Sequence, residues 1–280
     1  MDKIMNGRKM QLKVMLLLAC VLVLILCGKR VMREVVQLKE RLYAEESRIV
    51  EDEKKITELE GKIEYLEEKL RQTTDYYEYS TEYDAEAFNY LAIGNSLTMI
   101  NSWGRGICST KPTNDYFNLV KKFLESKGKN VVAYAYNFSP WETSENRDST
   151  LDLIDVYLDE KLDLVTIQLG ENVINTSTYE EDLIFLINYV KDKCPNAQVI
   201  VIGDWWKRDY NDIRKDAAKK TEVDFADLSE VIQNKEYQSK AGTVCYLEDG
   251  TTIEVSEKAS THPGDKGMEY IADKVIEKIK

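Results

Sequence analysis

The stretch Leu91-Ala92-Ile93-Gly94-Asn95-Ser96-Leu97-Thr98 decides how the chain is read. Tyr90 to Ile93 is a short apolar run of the length of a buried strand. Gly94-Asn95 interrupts it with two residues that tolerate tight backbone geometry, and Ser96 stands at the break. A serine on a sharp turn after a strand presents its hydroxyl at the carboxyl edge of the sheet, where open α/β sheets bind ligands. Asn and Ser are also favoured helix N-caps, so these residues alone leave a capped helix start as an alternative.

Towards the C-terminus, strand-like and helix-like segments alternate. After the strand at 89–93, an amphipathic segment from Asp115 to Ser126 carries Phe117, Val120, Phe123 and Leu124 on one face. Strands are expected at 130–136, 162–169, 198–203 and 222–225. Helices are expected at 151–158, 179–193, 209–220 and 265–279, the second ended by Cys194-Pro195-Asn196. Gly242 to Val255 reads as a hairpin around Asp249-Gly250. Strands separated by helices predict an α/β domain over 88–280, with a mostly parallel sheet covered on both faces.

Towards the N-terminus the composition changes twice. Val14 to Cys27 is uncharged and almost wholly aliphatic, with Lys3, Arg8, Lys9 and Lys13 before it and Lys29, Arg30 and Arg33 after it. The run is short for a spanning helix, but basic side chains can snorkel and extend it. A cleaved signal peptide has an apolar stretch of similar length, yet no A-x-A-like site follows it here. Residues 1–30 are therefore read as an uncleaved transmembrane signal anchor. It makes a single pass through the cell membrane, with the bulk of the chain extracytoplasmic. Over 31–72, apolar residues at Val35, Leu38, Leu42, Ile49, Ile56, Leu59, Ile63, Leu66 and Leu70 form a heptad seam, broken by Glu45 and Asp52. Ile at a with Leu at d favours a parallel homodimeric coiled coil; the alternative is a single solvated stalk. Residues 73–87 read as a linker or a strap on the domain surface.

Net charge is −12, which argues against a nucleic-acid partner. The five cysteines make no CxxC pair and have no neighbouring histidine, so a zinc site is not expected; no cofactor is expected either. The chain has one histidine, His262, in Thr261-His262-Pro263-Gly264-Asp265 ahead of the last helix. Histidine is the usual base for a serine hydroxyl at neutral pH, and no other imidazole is available to Ser96.

The order of these motifs resembles the SGNH, or GDSL-type, hydrolases over about residues 88–280. Gly94-Asn95-Ser96-Leu97 is similar to the first block, with Asn where many members have Asp. Gly170-Glu171-Asn172 is similar to the third, with Val173 in place of its final Asp. His262-Pro263, followed by a helix, is similar to the last. The second block is the weakest, with Asn137 to Thr143 in its place and Trp141 standing for the expected glycine.

The resemblance implies a three-layer, flavodoxin-like fold and a serine esterase in which Ser96 is the nucleophile and His262 the base. The oxyanion donors would be the Ser96 N–H, the backbone N–H at Trp141 and the Asn172 carboxamide. Ala259 stands where the family carries the Asp that orients the histidine. A backbone carbonyl, Glu142 or Glu257 would have to take that role. An acylated carbohydrate or another small ester is the expected substrate, as for an O-acetylesterase. An O-acyltransferase, or a non-catalytic glycan- or partner-binding module on a degenerate hydrolase fold, is the alternative.

Overall fold

The computed structural model describes residues 15, 27–57, 59, 81–99, 105–247 and 249–280. The chain divides into two compact units, Met1–Tyr79 and Ser80–Lys280. In the first, residues 27–57 form one helix, α1. Val35, Leu38, Leu42, Ile49 and Ile56 are each more than half exposed along it, so the apolar seam faces solvent in the single chain. Nearly all of the expected anchor, and the seam beyond Leu59, lie outside the described residues. Among those described, no helix is long and apolar enough to cross a membrane.

The second unit is an α/β domain. Its strands are β1 (Phe88–Gly94), β2 (Val131–Asn137), β3 (Leu164–Gln168), β4 (Gln198–Ile202) and β5 (Asp224–Ala226). They form one parallel sheet in the order β2-β1-β3-β4-β5. That is the doubly wound order, whose switch point lies at β1 and β3. The central strands are buried on both faces, as their unbroken apolar runs predict.

Helices α2 (Tyr116–Ser126) and α7 (Asp265–Ile276) cover one face. There Val120, Leu124, Met268 and Ile271 pack on Tyr90, Ala92 and Ile200. Helices α5 (Tyr179–Lys193) and α6 (Arg208–Lys220) cover the other, where Leu183, Leu186 and Ala217 meet Ile93, Val165 and Val201. Two apolar cores on either side of one sheet make three layers.

Several boundaries differ from the sequence reading. The helix expected over 151–158 shrinks to α4 (Asp152–Asp155), after a 3₁₀ turn at Arg147–Thr150. The unexpected α3 (Ser139–Thr143) begins with Pro140 in its first turn, where a missing N–H costs nothing. Residues 81–87 lie against the domain. Tyr83 is buried edge-on to Tyr134, and its hydroxyl donates to the Tyr157 carbonyl at 2.8 Å. The hairpin is β6 (Val244–Tyr246) paired antiparallel with β7 (Thr252–Glu254).

Candidate active site

Three adjacent strands, β2, β1 and β3, end at one edge of the sheet, and the loops after them carry the site. After β1 the chain turns at Gly94. A Cβ there would lie 1.8 Å from Thr98 Oγ1, so only glycine lets the turn close. Asn95 Oδ1 accepts the Leu97 N–H at 3.2 Å, and the Asn95 carbonyl accepts those of Thr98 and Met99. Ile107 N–H donates to the Ser96 carbonyl at 2.8 Å. Thr98 Oγ1 meets Tyr116 Oη at 2.6 Å and donates to Gln168 at 3.2 Å. Ser96 is thus held on a rigid turn, half-buried, with its side chain at the sheet edge.

His262 reaches Ser96 from the loop before α7. Its Nε2 lies 3.1 Å from Ser96 Oγ, and its Nδ1 lies 3.0 Å from the Ala259 carbonyl. A carbonyl only accepts, so Nδ1 carries the proton and Nε2 is the acceptor for the serine hydroxyl. This is the tautomer that a general base requires. Burial pushes the imidazole below its ordinary value, against the Ala259 bond and the Glu171 charge, which pull the other way.

The loop is clamped on several sides. Trp205 Nε1 donates to the Thr261 carbonyl at 3.0 Å, Ser239 N–H to the His262 carbonyl at 2.8 Å, and Gly264 N–H to the Tyr237 carbonyl at 3.0 Å. The Trp206 ring stands edge-on to the imidazole, its centroid 5.0 Å away. The Ala259 carbonyl also accepts from Cys108 Sγ at 3.2 Å. Burial pushes that thiol up to about 12, so it stays a protonated donor.

Neither side chain suggested for orienting His262 does so. Glu257 is exposed, on the surface of the loop. Glu142 is completely buried, but it faces the other side of Ser96. Its Oε1 accepts from Asn95 Nδ2 at 2.9 Å and from the Gly170 N–H, and its Oε2 accepts from Asn172 Nδ2 at 2.8 Å. The acceptor at His262 Nδ1 is the backbone carbonyl of Ala259.

Trp141 is a second correction. Its N–H donates to the Phe138 carbonyl at 3.1 Å inside the first turn of α3, so it is not free for an oxyanion. Its ring is buried, edge-on to Tyr179 with centroids 6.4 Å apart, and the Arg147 guanidinium lies 5.3 Å over it. Asn172, after β3, is exposed at the same sheet edge as Ser96.

Beneath Asn95 and Asn172 lies a buried ionic cluster that the sequence reading missed. Glu171 Oε2 accepts from Asn95 Nδ2 at 2.6 Å and pairs with Arg214 Nη2 at 2.9 Å. Arg214 also pairs with Asp204 at 2.9 Å and donates to Tyr179 Oη and to the carbonyls of Ile202 and Gly203. Gly170, at φ 131°, passes so close that a Cβ would lie 1.8 Å from Tyr179 Oη. Burial, then the neighbouring Glu171 charge, pushes the Glu142 carboxyl up.

The cluster accounts for an asparagine at position 95. Residue 95 donates to two carboxylates, and an Asp there would be a third acceptor with nothing to donate. The only sequence signals were Glu142 and Glu171 beside the motif positions, and neither named its partner.

No family model and no curated protein matches the chain. Similar solved structures include phospholipase A1 from Streptomyces albidoflavus NA297. It is 14% identical, with 69% of this chain and 99% of that chain covered and a TM-score of 0.47. An extracellular lipase from Streptomyces rimosus is 16% identical, covering 69% and 100% with a TM-score of 0.46. An acetylxylan esterase from Geobacillus stearothermophilus is 14% identical, covering 70% and 96% with a TM-score of 0.45. The functional reading of this chain therefore rests on its own residues.

Proposed function

We propose that this protein is a serine esterase that hydrolyses acyl esters through an acyl-serine. It is read as an O-acetylesterase acting on carbohydrate at the outer face of a membrane. The observation that carries the reading is the contact between Ser96 Oγ and His262 Nε2 at 3.1 Å, with Nδ1 anchored on the Ala259 carbonyl.

In this mechanism Ser96 Oγ attacks the ester carbonyl while its proton passes to His262 Nε2. The new C–O bond and the opened C=O leave a tetrahedral oxyanion. The Asn172 carboxamide and the Ser96 N–H donate to it, and one such donor typically accounts for ~10²–10³ in rate. The imidazolium then protonates the departing alkoxide. Water, deprotonated by the same nitrogen, cleaves the acyl-serine and restores the hydroxyl. The Ala259 carbonyl keeps the ring in its working tautomer, as the aspartate does in a triad.

The carbohydrate reading is supported by the half-buried Trp206 ring beside His262, an apolar face suited to a sugar. The extracytoplasmic placement is supported by the apolar run at 14–27 with its basic flanks. The open seam of α1 supports a parallel dimer. Sedimentation of the chain lacking residues 1–26 should give twice the monomer mass, and a monomer at tens of micromolar would refute the dimer.

The deciding experiment for the activity is labelling of the full chain with a fluorophosphonate. The label should form on Ser96, and Ser96→Ala should abolish it. A protein that takes no label would be a binding module instead.

A further inference from the structure

We propose that Glu142 positions the Asn172 carboxamide for the oxyanion, so that the carboxylate this site needs lies on the oxyanion side of Ser96 and not behind the histidine. The proposal rests on the serine-esterase reading above.

Four donors converge on this one completely buried carboxylate. Oε1 takes the Asn95 amide at 2.9 Å, the Gly170 N–H and the Asn172 N–H at 3.4 Å, while Oε2 takes Asn172 Nδ2 at 2.8 Å. They come from the turn after β1 and the loop after β3, so Glu142, on α3 after β2, ties all three site loops together. An amide nitrogen has two hydrogens. With one fixed on Oε2, the rotation of the Asn172 carboxamide is set, and its second hydrogen is left for a ligand at the exposed edge. Asn172 is exposed and on a loop, and among the described residues the side-chain acceptor of its carboxamide is Glu142.

Two further observations raise the importance of that constraint. The Trp141 N–H is engaged within α3, so a backbone donor expected from the family pattern is missing and Asn172 carries more of the oxyanion. Glu142 is itself held from below, because Asn95 Nδ2 bridges it to Glu171, which Arg214 fixes. His262, by contrast, finds its partners in Ser96 and Ala259, so Glu142 does not act through the imidazole.

A glutamine cannot replace this carboxylate. With its oxygen at the Oε1 position, its NH₂ would face Asn172 Nδ2, donor against donor, and the carboxamide would have to turn.

The test is a double-mutant cycle on the full chain with p-nitrophenyl acetate: Glu142→Gln, Asn172→Ala and the double variant. Each single change should lower kcat by ~10²–10³-fold, with KM within about threefold. The double variant should be no more than about threefold worse than the worse single, since Glu142 acts through Asn172. The acid limb of the pH profile should stay in place in Glu142→Gln, because the base is untouched.

Losses that multiply, an unchanged kcat in Glu142→Gln, or a shifted acid limb would each overturn the proposal. If Glu142→Gln fails to fold, Glu142→Asp enters the same cycle. It keeps the charge but is one methylene too short to reach both Asn172 and Gly170. Ser96→Ala separates the two levels. If turnover survives that change, the esterase reading falls and this proposal with it. If turnover is lost but the cycle is multiplicative, only the role of Glu142 falls.

Discussion

On one side of Ser96, an imidazole is held by neutral groups: the Ala259 carbonyl at 3.0 Å, the serine itself at 3.1 Å and the edge of Trp206. On the other side, Asn95 and Asn172 rest on two buried carboxylates, Glu142 and Glu171, and the Arg214 guanidinium ties Glu171 to a third, Asp204. A histidine base needs an acceptor at Nδ1 to fix its tautomer, and a backbone carbonyl fixed by its own loop can supply that. A carboxamide on an exposed loop has no such frame, and its orientation has to be set by a side chain. The difference teaches that the carboxylates beside a serine–histidine pair need not stand behind the imidazole.

The charged side should be the more fragile. Arg214→Met removes the cation that pairs with Glu171 and Asp204 and leaves both carboxylates buried. It should cost about 3–5 kcal/mol of folding free energy in a denaturant titration. A loss under about 1 kcal/mol would mean the cluster does not hold the site.

Asn95→Asp comes next. It replaces a donor to two carboxylates by a third acceptor. Two charge-assisted hydrogen bonds are lost, so about 3 kcal/mol should go in the same titration. A neutral or stabilising result would break the contrast between the two sides.

The neutral side should respond more mildly and in a different observable. If His262 is the base, it works in its neutral form, and burial disfavours the charged one, so activity should fall only below the ordinary imidazole range as pH drops. Ala259→Asp puts a carboxylate near Nδ1. It should favour the imidazolium and move the acid limb of kcat/KM upward by about one pH unit. A limb that stays in place would show that the new carboxylate does not reach the ring.

Much of this was legible in the sequence. The doubly wound sheet followed from apolar runs separated by amphipathic helices, and β1, α5 and α6 fall within a residue of their expected bounds. Ser96 and His262 could be paired because the chain offers one histidine, at the foot of its last helix. What stayed hidden was every contact made by the backbone. Nothing in the letters at 259 says that its carbonyl faces an imidazole, and nothing at 141 says that its N–H is used within a short helix. Glu142 was visible as a carboxylate near the right place. Its partner was not, because the loops after β2 and β3, on either side of β1, differ in aim by details no pattern encodes.

The central claim is that Ser96 and His262 act as one unit, and steady-state hydrolysis of p-nitrophenyl acetate tests it most directly. Ser96→Ala and His262→Ala should each lower kcat/KM by roughly 10⁴–10⁶-fold, and the double variant should be within about threefold of the worse single. Turnover that survives His262→Ala, or losses that multiply in the double variant, would contradict the account.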